Sequence, residues 1–137
     1  MSFSVRLDDA KLRRAFRGLS RKLGTRVITR ALRAGAKPIL AEARSRVPEV
    51  TGKLRKSLKI RQKVRRQAYD YILVSVGTTV PYAAMVEFGT KPHRINGIRH
   101  PGAAPKPFLR PAFDQKSDEA LEITKQHLRD AIEKGTP

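Results

Sequence analysis

The stretch from Pro81 to Asp114 constrains the fold most, because it holds two short apolar segments separated by a long loop rich in proline and glycine. The first apolar segment covers residues 82–88 and stops at Gly89, and the second reads Pro107-Phe108-Leu109-Arg110-Pro111. Loops this long are uncommon in compact domains, and they are usually either functional or disordered. The basic loop at 89–107 is therefore predicted to be held at both ends and to present a binding surface.

Length and composition favour a single domain over residues 1–137. The run of about 18 apolar residues that a membrane span needs does not occur, and the first twelve residues lack an apolar secretory segment. The chain is therefore expected to avoid membranes and to remain in the cytoplasm where it is made. The sequence contains no cysteine, which excludes disulfides and thiolate metal sites.

The net charge of +18 is unevenly distributed along the chain. Residues 1–67 contain 21 Lys and Arg against 4 Asp and Glu, whereas residues 68–137 contain 9 against 8. This asymmetry predicts a polyanionic or acidic partner for the first half, with nucleic acid favoured over a merely solvated basic surface.

The first half reads as one short strand followed by two helices. Phe3, Val5 and Leu7 alternate with polar residues, and apolar residues from Leu12 to Leu23 then follow at helical spacing. Gly24-Thr25 interrupts that pattern, so a second helix is predicted from about Thr25 to Arg46, with a kink or break near Pro38. At about 100° per residue, the basic residues of this helix fall within an arc of roughly 60°; they are Arg26, Arg30, Arg33, Lys37 and Arg44.

The second half begins with a predicted hairpin. Leu58, Ile60 and Val64 alternate with basic residues, which predicts a strand with one apolar and one basic face. The next run, 69–76, is aromatic and β-branched on both faces, as expected of a central strand. A short helix over 82–88, a further short strand or apolar anchor at Phe108-Leu109, and a C-terminal helix ending at Gly135 complete the order.

These elements predict an α+β fold. It consists of a small antiparallel sheet packed with an N-terminal helix pair and a C-terminal helix, and it carries a long basic loop.

The sequence offers little for catalysis. His93 and His100 lack the i, i+4 spacing and the neighbouring carboxylates of a metal site. Glu87 stands alone among basic and apolar residues, so a salt bridge to an arginine of the same or a neighbouring subunit is favoured over a general base. The phosphate-loop spacing is absent around Gly89-Thr90-Lys91, and no serine lies in a nucleophile elbow. We predict a protein that is not an enzyme and that needs no cofactor or metal.

The sequence does, by contrast, contain enough basic residues for many contacts with the phosphates of a nucleic acid. The sequence has no zinc finger, RNA-recognition aromatic pair or helix-turn-helix signature, so any contact is expected to be electrostatic and insensitive to base sequence.

Three motifs occur in an order that resembles a known family. They are Thr51-Gly52-Lys53-Leu54-Arg55-Lys56-Ser57, then Tyr82-Ala83-Ala84-Met85-Val86-Glu87-Phe88-Gly89-Thr90, then Pro107-Phe108-Leu109-Arg110-Pro111-Ala112. The set resembles the tail-component (neck, head–tail joining, tail completion) family of Hong Kong 97-type long-tailed double-stranded-DNA bacteriophages. The resemblance spans about Leu12 to Ala131, and the segment from Lys91 to Lys106 carries no family motif.

The resemblance implies a structural virion protein of the head–tail junction, assembled in the bacterial host. Such proteins form rings, commonly hexamers, which contact adjoining neck and tail proteins while genomic DNA passes through the lumen. Under this hypothesis the second and third motifs supply the subunit contact, made by Tyr82, Glu87, Phe88, Gly89, Thr90, Phe108 and Arg110. The residues expected to face DNA or an adjoining ring are Arg26, Arg30, Arg33, Lys37, Arg44, Lys59, Arg61, Lys63 and Arg65.

Two other classes stay open at this stage. The charge of the first half also fits a free, sequence-nonspecific nucleic-acid-binding protein associated with the ribosome or the nucleoid. A small hydrolase that uses Glu87 is the more remote alternative.

Overall fold

The computed structural model describes residues 2–5, 21–49, 52–66 and 70–134. Over these ranges the chain has the predicted α+β fold. The elements, in order, are β1 (Ser2–Val5), α1 (Arg21–Arg46), α2 (Lys53–Ser57), β2 (Lys59–Arg66), β3 (Asp70–Gly77), α3 (Ala83–Phe88), β4 (His93–Ile95), β5 (Ile98–His100) and α4 (Leu109–Glu133). Most of the helix predicted from Leu12 to Leu23 and the predicted cap Gly135 lie outside the described residues.

The main sheet has three antiparallel strands in the order β1-β3-β2. The prediction of a central strand is confirmed, since β3 pairs with β1 on one side and with β2 on the other. Ile60 lies opposite Val76 and Val64 lies opposite Ile72, so these side chains share one face of the sheet. Lys59, Arg61 and Lys63 occupy the alternate positions of β2 and are exposed on the other face.

The core lies between the apolar face of the sheet and the helices α1 and α4. Val74 and Val76 from β3 belong to the same buried cluster as Ile39 from α1 and Leu109 from α4. The two long helices also meet directly at Gly35, where a Cβ atom would lie 2.5 Å from the carbonyl oxygen of Ala120. Gly35 therefore sets the close approach of α1 and α4.

Helix α1 differs from the prediction at Gly24, and at Pro38 it has no break. It already includes Arg21 and passes through Gly24, and it continues through Pro38 without a break. A glycine costs a helix only about 1 kcal/mol, and a proline removes one backbone hydrogen bond. The flanking residues Ala36 and Ile39 are 8% and 4% exposed, so packing on both sides of Pro38 favours the continuous helix.

The loop predicted at 89–107 contains regular structure. Strands β4 and β5 pair as an antiparallel hairpin, and Ile95 lies opposite Ile98 across the Asn96-Gly97 turn. Both turn residues have positive φ, 50° at Asn96 and 82° at Gly97. This conformation is the one that Asn-Gly favours in two-residue hairpin turns, so Asn-Gly between two isoleucines was the signal for the hairpin.

Phe108 and Leu109 are an apolar anchor, as predicted, but they do not form a strand. Helix α4 begins at Leu109, with Phe108 as the preceding cap residue. Both side chains are buried, at 0% and 1% exposed. The start of α4 is thus fixed in the core.

Candidate functional site

Glu87 joins the second and third sequence motifs. It is 2% exposed, and its Oε2 atom accepts hydrogen bonds from the backbone nitrogens of Phe108 at 2.8 Å and Leu109 at 3.0 Å. Its Oε1 atom accepts a third bond, from the backbone nitrogen of Arg110 at 2.9 Å. The structure therefore gives Glu87 backbone amide partners in place of the predicted arginine salt bridge.

These bonds account for the whole first turn of α4. A helix leaves its first four backbone N–H groups without intrahelical partners. Glu87 satisfies the first three of these positions, and the fourth is Pro111, which has no N–H group. A carboxylate at this end also interacts favourably with the helix dipole. Glu87 is thus a helix cap supplied from a distant part of the chain, and its role is structural.

The first motif forms a second joint of the framework. Gly52 precedes α2 with φ of 66°, and Leu54 is buried in the core. The Ser57 hydroxyl donates to the carbonyl oxygen of Leu54 at 2.6 Å and shares a 2.6 Å hydrogen bond with the hydroxyl of Thr78. The Oγ1 atom of Thr78 also accepts from the backbone nitrogen of Val80 at 3.0 Å. The motif therefore attaches α2 to the end of β3.

Gly89 and Thr90 lie at the base of the segment 90–106, which carries the β4–β5 hairpin and which we call the hairpin excursion. The backbones of Thr90 and Ala103 exchange two hydrogen bonds, at 2.9 and 3.1 Å. A Cβ atom on Gly89 would lie 2.5 Å from the carbonyl oxygen of Ala103, and its φ is 71°. Both observations require glycine at this position.

An exposed apolar surface follows α3 into the hairpin. Tyr82, Met85 and Phe88 are 38%, 58% and 67% exposed and are spaced three residues apart, so we call them the apolar stripe. At the hairpin tip, Ile95 and Ile98 are 52% and 74% exposed. Apolar groups gathered on a surface in this way are characteristic of interaction sites.

Seven of the basic residues predicted to face DNA form two exposed groups among the described residues. One lies along α1 and consists of Arg26, Arg30, Arg33 and Lys37. The other lies on the outer face of β2 and consists of Lys59, Arg61 and Lys63. The 3.3 Å hydrogen bond from Arg33 Nη1 to Gln62 Oε1 connects α1 with β2, so the two groups lie on either side of one edge of the sheet.

Arg44 is placed differently from the other predicted basic residues. Its Nη2 atom donates to the carbonyl oxygen of Leu58 at 2.9 Å, and its Nε atom is buried with no hydrogen-bond partner among the described residues. Arg44 thus holds α1 against the segment that leads into β2. Its guanidinium group is engaged there and is not part of the exposed basic group along α1.

The histidines of the hairpin stack on each other. The ring centroids of His93 and His100 are 5.0 Å apart, and the Nδ1 atom of His100 accepts a 3.0 Å bond from the backbone nitrogen of Gly102. Within the described parts of the chain, no group of three or more His, Asp or Glu side chains is arranged to hold a metal ion. The described helices include none that is long and apolar enough to cross a membrane.

Sequence reasoning related the acidic residues at 114–122 of α4 only to the helix dipole and assigned no surface role to this acidic segment. It contains four acidic residues and one lysine, in a chain whose net charge is +18. The acidic side chains Asp114, Asp118, Glu119 and Glu122 are all exposed. The 2.8 Å hydrogen bond to Glu119, and next its negative charge, raise the pKa of Lys116 above the ordinary lysine value. A charge count in windows along the chain, rather than by halves, would have found this segment.

The residues predicted for the subunit contact fall into two groups. Glu87 and Phe108 are buried inside their own chain, at 2% and 0% exposed. Tyr82, Phe88 and Arg110 are exposed. Any contact at this place would therefore use the apolar stripe and the hairpin, while Glu87 and Phe108 hold the framework beneath them.

The fold and the surfaces define a small α+β protein with an exposed β4–β5 hairpin. Residues 10–89 match the family described as "Bacteriophage HK97-gp10, putative tail-component". The chain belongs to this family, which gives it a structural role as a bacteriophage tail component. The comparisons with curated proteins and with solved structures found no match.

Proposed function

We propose that the chain is a subunit of a ring at the head–tail junction of a long-tailed bacteriophage, hexameric and threaded by the genomic DNA. The role is structural rather than catalytic, and the protein acts in the virion after assembly in the bacterial cytoplasm. The observation that carries the proposal is the exposed hairpin excursion, anchored at its feet by Glu87 and by the Thr90–Ala103 pairing, in a member of a tail-component family. A ring subunit needs a surface of this kind to reach its neighbour.

Electron microscopy of purified protein, alone and mixed with its neck and tail partners, tests the ring. We expect annular particles of uniform diameter, whose rotational symmetry in class averages gives the subunit number. Antibody labelling of intact virions locates the protein, and label confined to the junction between head and tail is the expected result. A protein absent from purified virions would contradict the proposal.

The proposed DNA contact rests on the exposed cations of α1 and β2. Lys59, Arg61 and Lys63 line the outer face of the sheet, and these three positions lie opposite Gly77, Ser75 and Leu73 of β3. None of these three partner residues is acidic, so they do not neutralise the basic face. Such a surface binds phosphates without base readout, and its affinity falls steeply as salt is added.

Binding of duplex DNA across a salt series tests this contact, with fluorescence anisotropy as the measurement. The triple variant Lys59→Ala, Arg61→Ala, Lys63→Ala should weaken binding and reduce the slope of log K against log salt by up to about 0.9 for each phosphate that is no longer neutralised. Lys116→Ala, Lys125→Ala, Arg129→Ala removes the same charge from α4 and is the matched control. Equal effects of the two triple variants would argue against a contact through β2.

The second candidate function is that of a free nucleic-acid-binding protein. The observation that favours it is the exposed basic group along α1. Arg26, Arg30, Arg33 and Lys37 are all exposed. This alternative predicts tight binding to duplex DNA or RNA at physiological salt by the isolated chain, and no requirement for tail proteins. Negligible binding under those conditions would exclude it.

A further inference from the structure

The β4–β5 hairpin has little support from its own chain. Each strand has three residues, and every position from His93 to His100 is exposed. An isolated two-stranded hairpin is marginal in water, because it buries too little apolar surface to offset its conformational entropy. The exposed isoleucines at its tip would gain stability from contact with a second surface.

The hairpin excursion is also free of acidic residues. From residue 88 to residue 113 the sequence contains five basic residues and no Asp or Glu. Arg94 and Arg99 lie directly opposite each other on the hairpin, and Lys91 and Lys106 flank it, all exposed. The partner of this surface should therefore be acidic and should carry some apolar area.

Among the described residues, the chain itself offers a surface with that charge. The acidic segment at 114–122 has a local charge of −3, from four acidic residues and one lysine. Its acidic side chains are exposed while the hairpin is exposed too. Neither surface covers the other within one copy, so a contact between them requires two copies.

We propose that the β4–β5 hairpin of one copy, together with the apolar stripe, docks on the acidic segment of α4 in the next copy. Arg94 and Arg99, which share one face of the hairpin, meet Asp118 and Glu122, while Ile95 and Ile98 lie on its opposite face. The two surfaces are different patches, so the contact is head-to-tail, and repetition of such a contact closes a ring when the rotation permits. This inference rests on the proposed function, for which it supplies the seam between subunits.

Charge exchange tests the seam, with sedimentation velocity and native mass spectrometry as the measurements. Variant A carries Arg94→Glu and Arg99→Glu, and variant B carries Asp118→Lys and Glu122→Lys. Each variant alone places like charges at every seam, so we expect self-association to weaken by about tenfold or more. A mixture of A and B, and a chain that carries all four changes, restore opposite charges at every seam and should assemble again.

Folding of the variants is checked by circular dichroism and by the thermal midpoint, which should stay close to wild type because all four side chains are exposed. Arg129→Glu with Lys134→Glu, a matched reversal at the far end of α4 where both side chains are exposed, should leave assembly unchanged.

Three results would overturn the seam. The first is a wild-type chain that stays monomeric at all concentrations and with its tail partners. The second is variants A and B that assemble as well as wild type. The third is loss of assembly in both variants without rescue in the mixture. If the hairpin binds duplex DNA and not a second copy, variant A should show reduced DNA affinity and unchanged assembly. The first result would also count against the proposed ring, whereas the other results leave the ring standing. Membership of the virion is judged separately, by the presence of the protein in virions.

Discussion

The carboxylate of Glu87 lies 3.0 Å from the backbone nitrogen of Leu109, although 22 residues separate them in the chain. This contact fixes the end of α3 against the start of α4, and the hairpin excursion leaves and returns between the two. The acidic residue of one motif thus caps the helix that begins in the other.

Loss of the Glu87 carboxylate should destabilise the fold. Glu87→Gln presents an amide to three backbone donors, and Glu87→Ala leaves those donors buried without any acceptor. We expect the free energy of unfolding to fall by about 2 kcal/mol for Gln and about 2–4 kcal/mol for Ala, measured by denaturant unfolding. Glu122→Gln, at an exposed position of α4, is the control and should change stability by less than about 0.5 kcal/mol. An unchanged midpoint in Glu87→Gln would mean that the cap contributes nothing.

Two glycines of the same helix should respond to alanine in opposite directions. At Gly35 the new Cβ would overlap Thr124 Oγ1 and lie 2.5 Å from the Ala120 carbonyl oxygen, so α1 and α4 must separate. We expect Gly35→Ala to cost about 1–3 kcal/mol. Among the described residues, nothing lies within 4 Å of a Cβ added at Gly24, and its replacement should stabilise the helix by about 0.5–1 kcal/mol. Thermal unfolding of both variants tests the pair, and a stabilised Gly35→Ala would refute the close approach.

Substitution of Arg44 should mainly affect stability, whereas substitution of Arg33 should mainly affect the exposed charge. Arg44→Ala removes the 2.9 Å bond to Leu58 and should lower the free energy of unfolding by about 1.5–3 kcal/mol. Arg33→Ala removes an exposed 3.3 Å bond and should cost less than about 0.5 kcal/mol. If the exposed basic group along α1 binds DNA, Arg33→Ala weakens that binding more than Arg44→Ala does. The reverse order in both measurements would show that Arg44 faces the ligand.

Two phenylalanines, one from each side of the hairpin excursion, should behave as opposites. Phe108 is 0% exposed, so Phe108→Ala should cost about 3–5 kcal/mol of stability. Phe88 is 67% exposed, so Phe88→Ala should leave the unfolding midpoint nearly unchanged while it weakens self-association. Paired denaturation and sedimentation measurements distinguish the two roles. A Phe88→Ala chain that assembles normally would remove Phe88 from the seam.

Much of the fold could be predicted because alternation and helical spacing are local. The alternation of Ile60 and Val64 with lysine and arginine located β2, and the apolar run at 69–76 located the central strand β3. The wrong predictions involve tertiary packing that overrides local preference. Gly24 and Pro38 read as interruptions, yet both lie inside α1, which is stabilised along its length by the sheet and by α4.

The candidate site was less predictable, because its roles depend on contacts between distant residues. The sequence marked Glu87 as unusual, but only the fold brings it to Phe108, Leu109 and Arg110. The periodic pattern likewise assigned Arg44 to the exposed ridge, whereas the adjoining carbonyl of Leu58 draws it inward. The hairpin is the exception, since Asn96-Gly97 between two isoleucines predicts it without any tertiary information.

The joint at Glu87 also has a consequence for how the protein can diversify. The hairpin excursion begins and ends at fixed points, and its exposed residues contribute little to the core. Loops of this kind tolerate insertions and substitutions at low thermodynamic cost. The segment between Thr90 and Lys106 can therefore be exchanged as a cassette, so that one unchanged framework could be retargeted to new neighbours as tails diverge.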